Sequence, residues 1–338
     1  MKLTWPLRIL GGLVALCIIT LAVLWFAPSG DYILLPDTAQ PVEPLITVGG
    51  HHTRTHDKGK IYFLAVLVRK ARLLEDLFPG IRSGATLVPA SELQSPGVNQ
   101  RGQHAIDARE MVRSQDVAAA VALKAAGYPV RISTTGARIA AVDPSSPASD
   151  HLRETNVIVS VNGGAVRTPG ELHSRMAAVH PGQKVRLGIR TPSGLKTVDV
   201  PTFASRQDKT HALIGILVDQ AGSVHLPFPV KINPGAVVGP SAGLAFALEI
   251  MEKVGRNVDR GRKIAATGEL ELNGAVLPIG GVKQKTIEAR NAGADLMLVP
   301  AGDNEAAAAR KYAGNMRVVA VDSFQQALHA LTTLPETS

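Results

Sequence analysis

Val237-Val238-Gly239-Pro240-Ser241-Ala242-Gly243-Leu244 sets a serine at the head of an apolar run. From Ser241 to Val254 the residues are mostly Ala, Leu, Ile, Phe and Met, and Gly255 follows as a stop, so the segment is expected to be a largely buried helix. Ser241 then stands at the positive end of that helix. The first N–H groups of a helix have no intrahelical partner, and a hydroxyl among them can attack a carbonyl whose developing oxyanion they hold. Capping the helix is the other ordinary use of a serine in this position, and a nucleophilic serine needs a base.

Downstream the chain reads Ala266-Thr267-Gly268-Glu269 and then Gly274-Ala275-Val276-Leu277-Pro278-Ile279-Gly280-Gly281-Val282-Lys283-Gln284-Lys285. A lysine follows a Gly-Gly turn at the head of a second helix. Together these residues resemble the proteolytic domain of the Lon family, a Ser-Lys peptidase whose serine lies in Pro-Ser-Ala-Gly and whose lysine follows Pro-Ile-Gly-Gly. Both motifs stand intact, as Pro240 to Gly243 and Pro278 to Lys283. The resemblance runs from near Ile214 to Leu331 and implies Ser241 as nucleophile, Lys283 as general base and Thr267 as a residue that orients the lysine. The family often carries an acid three positions before the serine, where this chain has Val238.

A lysine acts as a base only when neutral, so it must be desolvated. At about 100° per residue, Lys283 and Lys285 point to opposite sides of their helix. The family motif selects Lys283 and leaves Lys285 as a surface charge. A rival reading takes Gly239-x-Ser241-x-Gly243 as a nucleophile elbow with Asp322 and His329 completing a triad. It leaves the Pro-Ile-Gly-Gly-Val-Lys motif without a role.

Around the two motifs, Ile214 to Val218 and Val224 to Ile232 are expected as strands, and Asn273-Gly274 as a hairpin turn. Helix 283–292, strand 296–299, helix 304–313, strand 318–321 and helix 323–331 complete an α/β layer arrangement. Between Tyr128 and Pro201 the pattern changes to short strands with one helix, Pro169 to Val179. Ala137 to Val142, Ser146-Pro147-Ala148, Val157 to Asn162 and Val185 to Arg190 resemble a PDZ domain, in which a strand pairs with an extended peptide lying between strand and helix. The family's Pro-Gly-Asp is here Glu154-Thr155-Asn156.

Upstream, Ile61 to Val68 reads as a strand and Ala105 to Ala126 as a helix ending at Gly127. Pro36, Pro41 and Pro44 mark a stiff linker. Ile9 to Ala27 carries no charge and is long enough to cross a bilayer, with Trp5, Trp25, Phe26 and Tyr32 at its ends. Lys2 and Arg8 precede it and Asp31, Asp37 and Glu43 follow, which places the N-terminus inside and the rest outside. A cleaved signal peptide is the alternative; the bulky Trp25 and Phe26 crowd a cut after Ala27 and favour an uncleaved anchor.

The 338 residues leave room for two or three small domains. The net charge of +8 comes from scattered basic residues, and aromatics make up only 4%, which argues against a nucleic-acid stacking surface and for solvated charge, attracted at most to an anionic membrane face. Cys17 is the single cysteine, so no disulfide within the chain and no Cys-based metal site forms. His51, His52 and His56 cluster without a ligand spacing and read as a polar loop. No Gly-x-x-x-x-Gly-Lys-Ser/Thr phosphate cradle occurs in these residues, so no nucleotide partner and no cofactor are expected.

The expected architecture is an α/β (α+β) Lon-type proteolytic domain over 210–334, preceded by a PDZ-like β-rich domain over 128–203. One transmembrane helix lies over 9–27, with a cytoplasmic tail 1–8, a juxtamembrane linker 28–60 and a strand-and-helix region 61–127 to which no role attaches. The expected activity is an ATP-independent, membrane-anchored serine endopeptidase acting on exposed or unfolded polypeptide outside the cytoplasmic membrane. The alternative is a tethered peptide-binding protein with a silent peptidase fold.

Overall fold

The structure, a computed structural model, describes residues 4–50, 59–93, 100–204, 209–302 and 304–334. The chain forms two compact units, one from Met1–Leu93 with Val230–Ser338 and the other from Gln94–Pro229.

The first unit begins with α1 (Thr4–Phe26), whose stretch Ile9–Phe26 has a mean hydropathy of 2.6 and is buried nowhere. It is long and apolar enough to span a membrane, and a signal sequence has the same character. Then come β1 (Pro28–Pro36), β2 (Gln40–Pro41), β3 (Ile46–Val48), β4 (Lys60–Phe63), β5 (Val66–Arg72), α2 (Leu73–Leu77), β6 (Thr86–Val88) and α3 (Ala90–Leu93). Within the stretch expected to be a linker, β1 is the centre of an antiparallel sheet ordered β5-β1-β6. The strand expected over Ile61 to Val68 is two strands, broken at Leu64-Ala65 and paired into different sheets.

The second unit opens with α4 (Gln100–Ala125), longer at its start than the expected helix. It continues with β7 (Arg131–Val142), β8 (Val157–Val161), β9 (Gly164–Ala165), α5 (Pro169–Met176), β10 (Lys184–Thr191), β11 (Gly194–Pro201), β12 (Phe203–Ala204), β13 (Ala212–Leu213) and β14 (Ile216–His225). The main sheet is antiparallel, ordered β11-β10-β8-β7-β14, with β9 on β8. Alternate residues Val185, Leu187 and Ile189 of β10 point into a core with Ile139, Ile158, Leu172 and Val200. Thr168 caps α5 by accepting a 3.1 Å hydrogen bond from Glu171 N–H, and Pro169 fills the first turn, where no donor is needed.

β14 lies inside the stretch 210–334 expected for the C-terminal domain. It belongs to this second sheet, pairing with β7 from Ile216↔Val142 to His225↔Arg131 with two register breaks. Pro227 and Pro229 follow it and end pairing, because proline cannot donate to a ladder, so the strand expected over Val224 to Ile232 is divided.

The chain returns to the first unit with β15 (Val230–Ile232), α6 (Gly243–Lys253), β16 (Lys263–Ala266), β17 (Glu269–Leu270), β18 (Val276–Leu277), α7 (Val282–Asn291), β19 (Leu296–Pro300), α8 (Glu305–Arg310), β20 (Arg317–Val321) and α9 (Phe324–Thr332). β15 pairs with β3. The central sheet is ordered β2-β4-β16-β19-β20, parallel from β4 to β20. Every residue of β19, Leu296 to Pro300, is buried, as befits a parallel strand covered on both faces. On one face Ala265, Met297 and Val299 meet Val282 and Ala289 of α7 and Ala306 and Ala309 of α8. On the other, Phe246 of α6 meets Phe63 of β4 at 5.9 Å between ring centroids. The strand beside β16 thus comes from near the N-terminus, and the second unit is an insertion within the first.

Candidate active site

The site is built where β16 runs out. Gly268 N–H donates to Ser241 O at 2.9 Å and Gly268 O accepts from Leu244 N–H at 3.1 Å, so the end of the strand straps the approach to α6. That approach is a 3-10 turn, Pro240–Ala242, entered through Gly239 at φ +94°, a conformation side chains rarely adopt. Ser241 sits in this turn, two residues before α6 proper. α6 itself is apolar nearly all round and buried from Gly243 to Glu252, which fixes the turn to the core.

The second half of the site is α7. Gly281 caps it at φ +71°, and a Cβ there would lie 2.6 Å from Val66 Cγ2, so both backbone conformation and space require glycine. The inward side of α7 carries Val282, Lys285, Thr286, Glu288 and Ala289, all buried. Lys285 Nζ donates to Ser241 Oγ at 2.8 Å and to Thr267 Oγ1 at 3.2 Å. Thr267 is fully buried and its hydroxyl donates to Ser241 O at 3.3 Å, so its lone pairs remain directed at the amine.

Lys283 does not face the serine. Its Nζ donates to Ala85 O at 2.7 Å and to Thr86 Oγ1 at 3.4 Å, and lies 5.7 Å from the Tyr312 ring centroid. The expectation of Lys283 as the neighbour of Ser241, with Lys285 as a surface charge, is corrected: the two exchange places. The physical reason is helical phase. Positions three before and four after Lys285 are Val282 and Ala289, both core residues, whereas Lys283 has Gly280 and Ile287 at those offsets and the exposed Arg290 one turn further on. That phase is legible in the sequence, whereas the spacing from the Gly-Gly turn alone points to Lys283.

Burial lowers the Lys285 amine from its ordinary 10.5 to about 8, against the opposing pull of the Glu288 and Glu305 carboxylates. Glu288 lies one turn along α7 from Lys285, and burial raises its carboxyl to about 8, partly offset by Ala65 N–H, which donates to Oε1 at 3.4 Å. Below that range Glu288 is mostly neutral and its hold on the ammonium is weak. Glu305 accepts from Ile279 N–H at 2.5 Å, anchoring the loop that leads into the Gly-Gly turn.

Asp322 and His329 are both exposed and neither bonds to Ser241, so the triad is not assembled. Among the described residues no group of His, Cys, Asp or Glu is placed to hold a metal ion; His51, His52 and His56 lie outside them. The Asn273-Gly274 hairpin is present, with Glu269↔Leu277 and Leu270↔Val276 paired and Gly274 at φ +88°. In the second unit, α5 lies beside both β7 and β14, and β14 pairs along β7.

Residues 205–333 match the family model of the Lon protease C-terminal proteolytic domain. The chain is 35% identical over 114 residues to "Lon protease 2" of Bacillus subtilis (strain 168), which covers 34% of this chain and 20% of that protein. It is 43% identical over 79 residues to "Lon protease 1" of Myxococcus xanthus, covering 23% and 9% respectively. The chain thus spans a fifth or less of the length of these relatives. Among solved structures, the PDZ domain of an SdrC-like protein from Listeria monocytogenes is similar to 26% of this chain and covers 92% of its own, at 19% identity and a TM-score of 0.24. The matched region holds Ser241, Thr267 and Lys285, and the chain carries a Lon-type proteolytic domain. Strands β1 to β6, which lie in the sheets of the same unit, fall outside the match.

Proposed function

We propose that this chain is an ATP-independent, membrane-anchored serine endopeptidase that cleaves exposed or unfolded polypeptide outside the cytoplasmic membrane, with Ser241 as nucleophile and Lys285 as general base. The observation that carries this reading is the 2.8 Å contact between a buried lysine amine and the serine hydroxyl. In its neutral form Lys285 accepts the Ser241 proton along that line as Oγ attacks the peptide carbonyl. We assign oxyanion stabilisation to amides of the turn Pro240–Ala242. The Lys285 ammonium then returns its proton to the leaving amine, and the free amine activates water to release the acyl group from Ser241. Thr267 keeps the amine aimed at Oγ throughout.

Membrane attachment rests on α1, and the outward orientation on Lys2 and Arg8 before it against Asp31, Asp37 and Glu43 after it. Independence from ATP rests on the missing phosphate cradle in these residues. Peptide recognition by strand addition to β7 requires β14 to give way, because each backbone edge pairs with one partner strand. A serine-directed probe followed by intact mass measurement tests the reading: one adduct is expected, lost in Ser241→Ala. A labelled Ser241→Ala protein, or an unlabelled wild type that is folded, supports instead a tethered binding protein with a silent peptidase fold.

A further inference from the structure

The chain leaves α1 without a linker. Leu73 N–H donates to Ala27 O at 3.0 Å, so the start of α2 is bonded to the residue that follows α1. The Trp25 ring lies 5.0 Å from the Arg72 guanidinium and 5.8 Å from that of Arg82. Both ends of segment 73–81 are therefore pinned to one indole. Within that segment Leu74 is buried and Asp76 exposed, as is usual, but two further features run the other way. Glu75 is buried, accepting from Arg69 at 2.8 and 2.6 Å, from Arg82 at 3.2 Å and from Arg72 N–H at 3.0 Å. Leu77, Phe78 and Ile81 face outward, 61%, 59% and 48% exposed. A carboxylate inside and a phenyl ring outside is a poor arrangement for water and a suitable one for a lipid interface.

We propose that Leu77, Phe78 and Ile81, framed by Arg72 and Arg82, form a surface that rests in the interfacial layer of the bilayer crossed by α1. The inference rests on α1 being a membrane helix and is independent of the peptidase reading. α2 is only about 7–8 Å long, and each interfacial layer is roughly 5–7 Å thick, so a segment tied to Trp25 at both ends stays within reach of lipid. The two guanidiniums lie at headgroup level, where they meet anionic phosphates, and the three apolar side chains enter the acyl boundary. The catalytic unit is thereby held against the membrane.

The test uses the full chain in lipid vesicles with Cys17→Ser and one new cysteine at a time, Phe78→Cys, Ile81→Cys or Val14→Cys, carrying a bimane fluorophore. Lipids with a nitroxide near the headgroup and aqueous iodide serve as opposing quenchers. The bimane at 78 and at 81 is expected to lose most of its emission to nitroxide lipid and little to iodide. Quenching of both by iodide alone, or protection from both quenchers as in an interface between two copies, overturns the proposal while the label at 14 still responds to lipid. If the label at 14 is also insensitive to lipid, the membrane reading of α1 fails, and this inference with it.

Discussion

At the scale of single residues, the site turns on a buried amine. An ordinary value of 10.5 against about 8 in the folded protein means that, between these, the unfolded chain holds the extra proton, so stability rises with pH through that window. Below about 8 the cost of burying the ammonium is fully present. Lys285→Met is therefore expected to raise thermal stability at pH 7, by about 1–3 kcal/mol, while it removes the base; a lowered melting temperature would count against a desolvated lysine. Hydrolysis should climb with pH through about 8, since only the neutral amine accepts the serine proton. An ionised Glu288 favours the ammonium, so Glu288→Gln should move the rising limb of the pH–rate profile to lower pH. An unmoved or upward-shifted limb contradicts that coupling. Thr267→Val, which keeps shape and loses the hydroxyl, should reduce turnover by about tenfold, the loss of roughly one well-placed hydrogen bond.

At the scale of elements, turns decide placement. Gly281→Ala forces a Cβ into φ +71° and onto Val66 Cγ2 at 2.6 Å, so it should cost about 1–3 kcal/mol and displace the start of α7; equilibrium denaturation measures it. A Cβ at Gly222 would lie 1.9 Å from Ser133 O, across the β7–β14 pairing. Gly222→Val is expected to speed amide hydrogen exchange throughout Ile216–His225, and unchanged exchange would show that β14 is held by other means. Much of this level was legible in the sequence. The Asn273-Gly274 hairpin, the apolar α6 and the order of helices and strands after it follow from local periodicity and turn chemistry, within a residue or two at most ends. Which lysine faces Ser241 is not legible in the motif alone, because a motif fixes spacing whereas helical phase fixes direction. The division of 214–232 is not legible in composition, because Val, Leu and Ile suit either sheet; Pro227 and Pro229 alone mark it.

At the scale of the whole molecule, the lesson is that a domain need not be continuous. Nothing local in 28–72 says that β4 will lie parallel to β16, two hundred residues later; a parallel neighbour is set by tertiary packing, which leaves no mark at short range. A fragment beginning at 205 keeps Ser241, Thr267 and Lys285 but exposes the β4 side of β16 and loses Phe63 from the face of Phe246. It is expected to lack cooperative unfolding, whereas the full chain unfolds with a distinct transition; a fragment that melts cooperatively would show that residues 28–93 are dispensable. A reporter fused after Ser338 should be active only outside the cytoplasm, and cytoplasmic activity would reverse the orientation.

The central claim is that Ser241 and Lys285 together hydrolyse peptide bonds without nucleotide. It is met most directly by incubating the purified full chain with an unstructured polypeptide in the absence of ATP, alongside Lys285→Met and Lys283→Met, and following cleavage by mass spectrometry. The account predicts cleavage by the wild type, cleavage within a few-fold of it by Lys283→Met, and none by a folded Lys285→Met. Cleavage retained by Lys285→Met and lost by Lys283→Met would contradict it.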